Sequence, residues 1–150
     1  MIYSLLRPLL FRFDPETIHH GVVSASQAAL EIPGLESLLA WLLQYDDPVS
    51  VAGLPFINRI GLAAGFDKNG HFVRVAQALG FGHIEVGAIT PLPQTGHPRP
   101  RLFRVPGDDS LRNRMGFNND GVDAIVDRLP PAPGRIIVGV NLGKGANTPV

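Results

Sequence analysis

The sequence predicts an α/β protein built on a parallel sheet, with a short helical segment ahead of it. Three observations carry that expectation. Residues from about 47 onward repeat the order strand, glycine-rich loop, helix, the pattern of βαβ units. The run Ile136-Ile137-Val138-Gly139-Val140-Asn141 is apolar at nearly every position, as expected of a strand buried on both faces. Residues 1–46, by contrast, read as helical, so the change in composition sets a boundary between 1–46 and 47–150.

The helical part opens at Asp14-Pro15-Glu16. Asp14 can accept from free backbone N–H groups, Pro15 suits the first turn, and Glu16 faces the positive end of the dipole. Ile18, Val22, Ala25 and Ala29 follow at helical spacing, and Pro33-Gly34 is expected to end the run. A second helix, about residues 35–44, carries Leu35, Leu38, Leu39, Trp41, Leu42 and Leu43, more apolar positions than one buried stripe requires. That surplus either docks on the rest of the protein or faces a membrane surface or partner, although few basic residues flank it.

From Val49 short β-type runs take over. Residues 49–51 and 56–58 are expected to pair around a Gly53-Leu54-Pro55 turn, and a strand at 60–63 leads into Ala64-Gly65-Phe66-Asp67-Lys68-Asn69-Gly70. A helix at about 71–79, the turn Gly80-Phe81-Gly82 and a strand at 83–86 complete one βαβ unit. A Pro- and Arg-rich loop at 90–104, a helix at about 119–129 and the link Pro130-Pro131-Ala132-Pro133-Gly134 then reach the apolar strand. The sheet is open or closed into a barrel. A closed barrel of eight units needs about 250 residues, so three parallel strands in 150 residues predict a fragment. Residues 141–150 read as the start of a functional loop.

Composition removes several function classes. Thirteen basic residues balance thirteen acidic ones, without the basic surplus that a general nucleic-acid binder needs. No cysteine is present, so disulfides and thiolate metal sites drop out and the redox compartment stays open. The longest apolar run, Leu38 to Leu43, falls far short of the roughly 20 residues that span a bilayer. The start lacks a small-residue cleavage site after an apolar core, so the mature chain is expected to begin near Met1.

The two lysines, Lys68 and Lys144, both fall in glycine-rich loops directly after expected parallel strands, on the ligand-facing rim of α/β folds. Asp67 is either the partner of Lys68 or a loop cap, and Gly65 and Gly70 allow close backbone approach. Asn113-Arg114-Met115-Gly116-Phe117-Asn118-Asn119 groups amide, guanidinium, thioether and aromatic chemistry around one glycine. It reads either as a site for a small planar anion or as a turn with Asn119 capping the next helix. Asn141, at the end of an apolar strand, needs a backbone or ligand partner. Gly139-Val140-Asn141-Leu142-Gly143-Lys144 is not a P-loop, Gly80-Phe81-Gly82 lacks the third dinucleotide-binding glycine, and no histidine stands at metal-ligand spacing with a carboxylate. No serine sits in a nucleophile elbow.

Four blocks in order, Ala63-Ala64-Gly65-Phe66-Asp67-Lys68-Asn69-Gly70, Pro100-Arg101-Leu102-Phe103-Arg104, Asn113 to Asn119, and Val140-Asn141-Leu142-Gly143-Lys144, carry a resemblance. Together they resemble dihydroorotate dehydrogenase, and the leading Asp14-Pro15-Glu16 helical hairpin points to its quinone-dependent class 2 branch. The resemblance implies the first part of a (β/α)8 TIM barrel with FMN at the C-terminal ends of its strands, behind a two-helix microdomain at 1–46 that touches the membrane and admits ubiquinone or menaquinone. It implies oxidation of dihydroorotate to orotate in pyrimidine biosynthesis, and a peripheral, membrane-associated location, on the cytoplasmic face in a bacterium.

Position by position, the resemblance implies FMN contacts from Ala64, Gly65, Phe66, Asp67, Lys68, Ala88 and Asn141. It implies dihydroorotate contacts from Lys68, Asn113, Arg114, Met115, Gly116 and Phe117, and a quinone tunnel lined by His19 and Arg104. The catalytic base, a serine, is expected beyond Val150, so the isolated 150 residues are expected to be inactive. Ala88 stands where the family usually has a threonine, and Arg112 where an apolar residue is usual. Two other readings compete: another FMN barrel oxidoreductase, such as a class 1 dihydroorotate dehydrogenase using fumarate or NAD, and a non-catalytic peripheral membrane or interaction module. Quinone reduction separates the first; vesicle binding without flavin binding marks the second.

Overall fold

The computed structural model describes residues 2–129 and 134–149; of the predicted proline-rich link, all but Gly134 lies outside the described residues. Three helices lead, one more than the sequence indicated. The added one is α1 (Ile2–Leu10), tied to the rest by an Arg7–Asp109 ion pair of 2.7 Å. Helix α2 (Pro15–Leu30) starts as predicted, with the Thr17 N–H donating to Asp14 Oδ1 at 2.8 Å and Pro15 in the first turn. It stops at Leu30, short of Pro33-Gly34. Helix α3 (Leu35–Leu43) has no buried residue; Leu39 packs on the core, whereas Trp41 is 78% exposed. The surplus apolar surface read from the sequence is therefore real.

The strands β1 (Val49–Val51) and β2 (Leu54–Phe56) form an antiparallel hairpin whose register corrects the expected one. The turn is Ala52-Gly53, not Gly53-Leu54-Pro55. Both turn residues have positive φ, +49° and +80°, which matches the twist of a two-residue hairpin. Pro55 fits inside this short strand, opposite Ser50.

The three predicted parallel strands are present as β3 (Gly61–Leu62), β4 (His83–Ile89) and β7 (Ile137–Leu142), in spatial order β3-β4-β7. Gly61 pairs with His83, and His83 with Ile137. Helix α4 (Val73–Ala78) links β3 to β4, and α5 (Val122–Val126) lies between β4 and β7, as in successive βα units. The core sits between sheet and helices: Ile84, Val86 and Ile89 of β4 meet Val73, Val75 and Ala76 of α4, Ile125 of α5 and Leu30 of α2. This is an α/β sheet segment, not a closed barrel. Asn58, fully buried, welds the underside: its amide donates to Tyr45 O and Gly80 O, and its Oδ1 accepts from Ile60 N–H.

The expected loop at 90–104 ends instead in β5 (Leu102–Val105), which pairs antiparallel with β6 (Ser110–Asn113) through a short 3-10 turn at Pro106–Asp108. In an Arg-rich segment the alternation that marks a strand is carried by long charged side chains, as in the Phe103–Arg112 pair. Arg112 stands exposed on this hairpin.

Candidate functional site

The strands β3, β4 and β7 all run toward one rim, where the loop after β3, the ends of β4 and β7 and the 115–118 segment meet α2 and the β5–β6 hairpin. Between them lies a cavity of about 640 Å³, a size suited to an organic ligand. Its walls come from α2 (Glu16, His19, His20, Val23), residues 64–69, Gly87 and Ala88 of β4, the hairpin (Leu102, Leu111, Asn113), residues 115–118, and Asn141 of β7.

The loop after β3 is fixed by Asp67, which resolves its two readings in favour of a loop cap. Asp67 Oδ1 accepts from Asn69 N–H (3.2 Å) and His71 N–H (3.0 Å), Oδ2 from Phe72 N–H (2.7 Å), and its main-chain oxygen from Gly87 N–H (2.9 Å). The buried carboxylate is thus spent on backbone donors, and Gly65 N–H closes the stitch to Gly87 O at 2.9 Å. Lys68 Nζ donates to Gly65 O at 2.6 Å from a half-buried position. Burial pushes the Lys68 pKa below the ordinary lysine value; the Arg101 charge adds to that, while Glu16 and Asp67 oppose it.

Glu16 anchors α2 to the rim. Its carboxylate, only 3% exposed, accepts from Arg101 Nη2 (2.7 Å), Arg101 Nε (3.1 and 3.2 Å) and Arg99 Nη2 (3.1 Å). Hydrogen bonds from Arg101, stronger here than the opposing cost of burial, hold the Glu16 pKa at about 2. Arg101, itself 7% exposed, also donates to Thr95 O and to His97 O (3.0 Å). One turn along α2, the His19 ring meets Phe66 edge to face at 4.7 Å. Burial, then the nearby Lys68 charge, lowers its pKa below the usual histidine value.

The loop at 113–119 is pressed against residues 94–97. A Cβ on Gly96 would lie 2.2 Å from Met115 O and one on Gly116 2.8 Å from His97, so both must be glycine. Asn119 does not cap α5, the alternative read from the sequence; Gly121 holds that position. Buried Asn119 instead donates to Thr90 Oγ1 (2.9 Å) and Phe117 O (2.8 Å) and accepts from Gly121 N–H (2.9 Å). On β7, Asn141 Nδ2 donates to Glu85 Oε1 at 3.0 Å.

Of the expected site residues, Ala64, Gly65, Phe66, Asp67, Lys68, Ala88, Asn113, Met115, Gly116, Phe117, Asn141 and His19 share this one cavity wall. Arg114 and Arg104 stand off it. Arg114 turns to Pro100 O (3.2 Å), and Arg104 donates to Phe13 O (2.7 Å) and lies over the Phe11 ring. Lys144 is exposed and outside it. Sequence reasoning gave Glu16 only a dipole role and left Glu85 without one; Asn118 stood in the 113–119 block without a contact of its own. The signal for Glu16 was present in Arg99 and Arg101, cations with no acidic neighbour in sequence.

A parallel sheet with a cavity at its C-terminal rim is the ligand-binding design of the barrel and doubly wound α/β proteins. Comparison with known proteins narrows the class. The family model described as dihydroorotate dehydrogenase matches residues 48–148. A dihydroorotate dehydrogenase (quinone) of Aromatoleum aromaticum is 52% identical over all of this chain and 41% of its own length. That of Acinetobacter baylyi is 47% identical over all of this chain and 43% of its own. A crystal structure of DHODH from Eimeria tenella in complex with ferulenol superposes with a TM-score of 0.74 at 36% identity, covering 91% of this chain and 38% of that one. The chain belongs to the dihydroorotate dehydrogenase family. It spans about two fifths of the length of the curated relatives it matches.

Proposed function

We propose that the whole protein is a quinone-dependent dihydroorotate dehydrogenase, and that this chain supplies its quinone-side helices and one half of its flavin and substrate site. One observation carries the reading: the 64–68 loop, the 113–117 loop, Asn141 and α2 converge on a single cavity. Family enzymes are flavoproteins; the residues here support FMN. A backbone floor with open space over Gly65 suits a flat ring, and Lys68 and Asn141 offer cation and amide at its edge. FMN, when bound, supplies the hydride acceptor and returns the electrons to quinone.

Dihydroorotate becomes orotate by losing a proton from C5 and a hydride from C6. The chain's own part is positioning and charge. Asn113 offers donor and acceptor to the substrate's ring edges. Lys68, held by Gly65 O in a partly dehydrated wall, brings positive charge to the carboxylate side, where low dielectric strengthens it. The proton from C5 goes to a serine base, expected beyond residue 150. His19 on the α2 wall and Arg104 near α1 would line the quinone path. Residues 1–46 form the microdomain that meets the membrane surface through exposed Leu38, Trp41 and Leu42, and 47–150 belong to the barrel. Among the described residues no helix is long and apolar enough to cross a membrane, consistent with peripheral association.

The test is steady-state turnover of the whole protein with dihydroorotate and, in turn, ubiquinone, menaquinone, fumarate and NAD. Orotate formation with a quinone alone is the expected result. Turnover with fumarate or NAD in place of quinone would overturn the class 2 reading.

A further inference from the structure

Phe117 is a non-glycine residue in the left-handed region, at φ +53°, directly after Gly116 at φ +74°. An aromatic side chain disfavours that backbone, so something must hold it. Two amides do. The Phe117 carbonyl accepts from Asn119 Nδ2 (2.8 Å) and from Gln94 Nε2 (3.2 Å). Main-chain bonds join the same segments, Gln94 N–H to Asn119 O (2.9 Å) and Asn119 N–H to Gln94 O (3.0 Å). Residues 116–118 line the cavity, and among the described residues their three N–H groups have no acceptor. The Asn118 amide is likewise unpaired, its Oδ1 buried without a partner. Gln94 itself does not line the cavity. Its other end, Oε1, accepts from Ala146 N–H (2.6 Å) in the loop after β7.

We propose that Gln94 is a positioning residue for ligand recognition: by holding the Phe117 carbonyl it fixes the backbone of the 116–118 cavity wall, whose N–H groups are free to meet a ligand, and through Ala146 it ties the loop after β7 to the same clamp. The ligand class is a planar carboxylate such as orotate, which rests on the function proposed above. The two polar ends of Gln94 do different work, so two substitutions separate them. Gln94→Leu removes both; Gln94→Glu keeps the acceptor for Ala146 N–H and loses the donor to Phe117 O.

The first readout needs no ligand: chymotryptic cleavage after Phe117, whose carbonyl the clamp occupies, relative to cleavage after Phe103 in β5. Loss of one clamp bond is expected to raise that ratio about fivefold in both variants. The second is orotate affinity by calorimetry, expected to weaken about tenfold in both. The melting temperature is expected to fall by no more than about 3 °C. An unchanged cleavage ratio overturns the proposal. So does a raised ratio with unchanged orotate affinity, which would leave Gln94 a merely structural residue, or a Gln94→Glu protein that behaves as wild type while Gln94→Leu does not. If Gln94→Leu fails to fold, the near-isosteric Gln94→Glu decides. If wild type binds no orotate, the function proposed above fails and the cleavage ratio alone decides the clamp.

Discussion

Replacing Glu16 by glutamine is expected to destabilise the protein by about 3–5 kcal/mol, although it removes only a charge. Glu16 and Arg101 are 3% and 7% exposed, so the guanidinium would remain buried without its counter-ion, the situation that costs most for a broken buried pair. A second route gives a similar size. Lowering the carboxyl from 4.5 to about 2 corresponds to about 3 kcal/mol of preference for the ionised form in the folded state. The sign follows from the depressed folded value: the contribution is fully present above the unfolded pKa and is lost as pH falls from about 4.5 through about 2. Urea unfolding at pH 7 should show the loss, with a melting temperature lower by about 6–20 °C. Across pH 5 to 2 the Glu16→Gln profile should be flatter than wild type. A loss below about 1 kcal/mol, or parallel pH profiles, would mean that the buried pair contributes little and that Arg101 is held by Thr95 O and His97 O alone.

Asp67→Asn replaces a carboxylate that accepts three backbone N–H bonds with an amide offering one acceptor oxygen, so a loss of about 1–3 kcal/mol is expected. Flavin content per protein should fall with it; full flavin content and stability would contradict the loop-cap role. Asn58→Ala leaves Tyr45 O, Gly80 O and Ile60 N–H without their partner, which predicts a loss of about 2–4 kcal/mol in urea unfolding and no change in ligand affinity beyond it. Lys68→Ala in the whole protein should lower turnover about 100-fold or more while the melting point moves little. The opposite pattern, a large drop in melting point with turnover kept, would make Lys68 structural.

The parallel sheet was legible because its strands are short apolar runs between glycine-rich loops, and because Asp14-Pro15 marks a helix start without tertiary help. The β5–β6 hairpin was not, because Arg104 and Arg112 mask the alternation that usually signals a strand. The Ala52-Gly53 turn was misread because Pro55 is a stronger turn signal than alanine, whereas the hairpin's twist selects the residues that take positive φ. The positions of the site residues were readable as blocks, since the ends of successive parallel strands must meet at one rim. How they are held was not. Glu16 meets Arg101 across 85 residues and Asn119 meets Thr90 across 29, and neither pairing leaves a local pattern. Asp67 illustrates the limit: its chemistry suited either a lysine partner or a cap, and only the three N–H groups gathered around it decide.

On the function proposed above, this rim serves a flavin reduced by dihydroorotate and reoxidised by a quinone. The most direct measurement is anaerobic mixing of the purified whole protein with dihydroorotate while its visible absorbance is followed, then addition of a soluble quinone. A yellow protein that bleaches with dihydroorotate and recovers with the quinone is the expected result. A protein that carries no flavin, or one whose flavin stays oxidised in excess dihydroorotate, would contradict it.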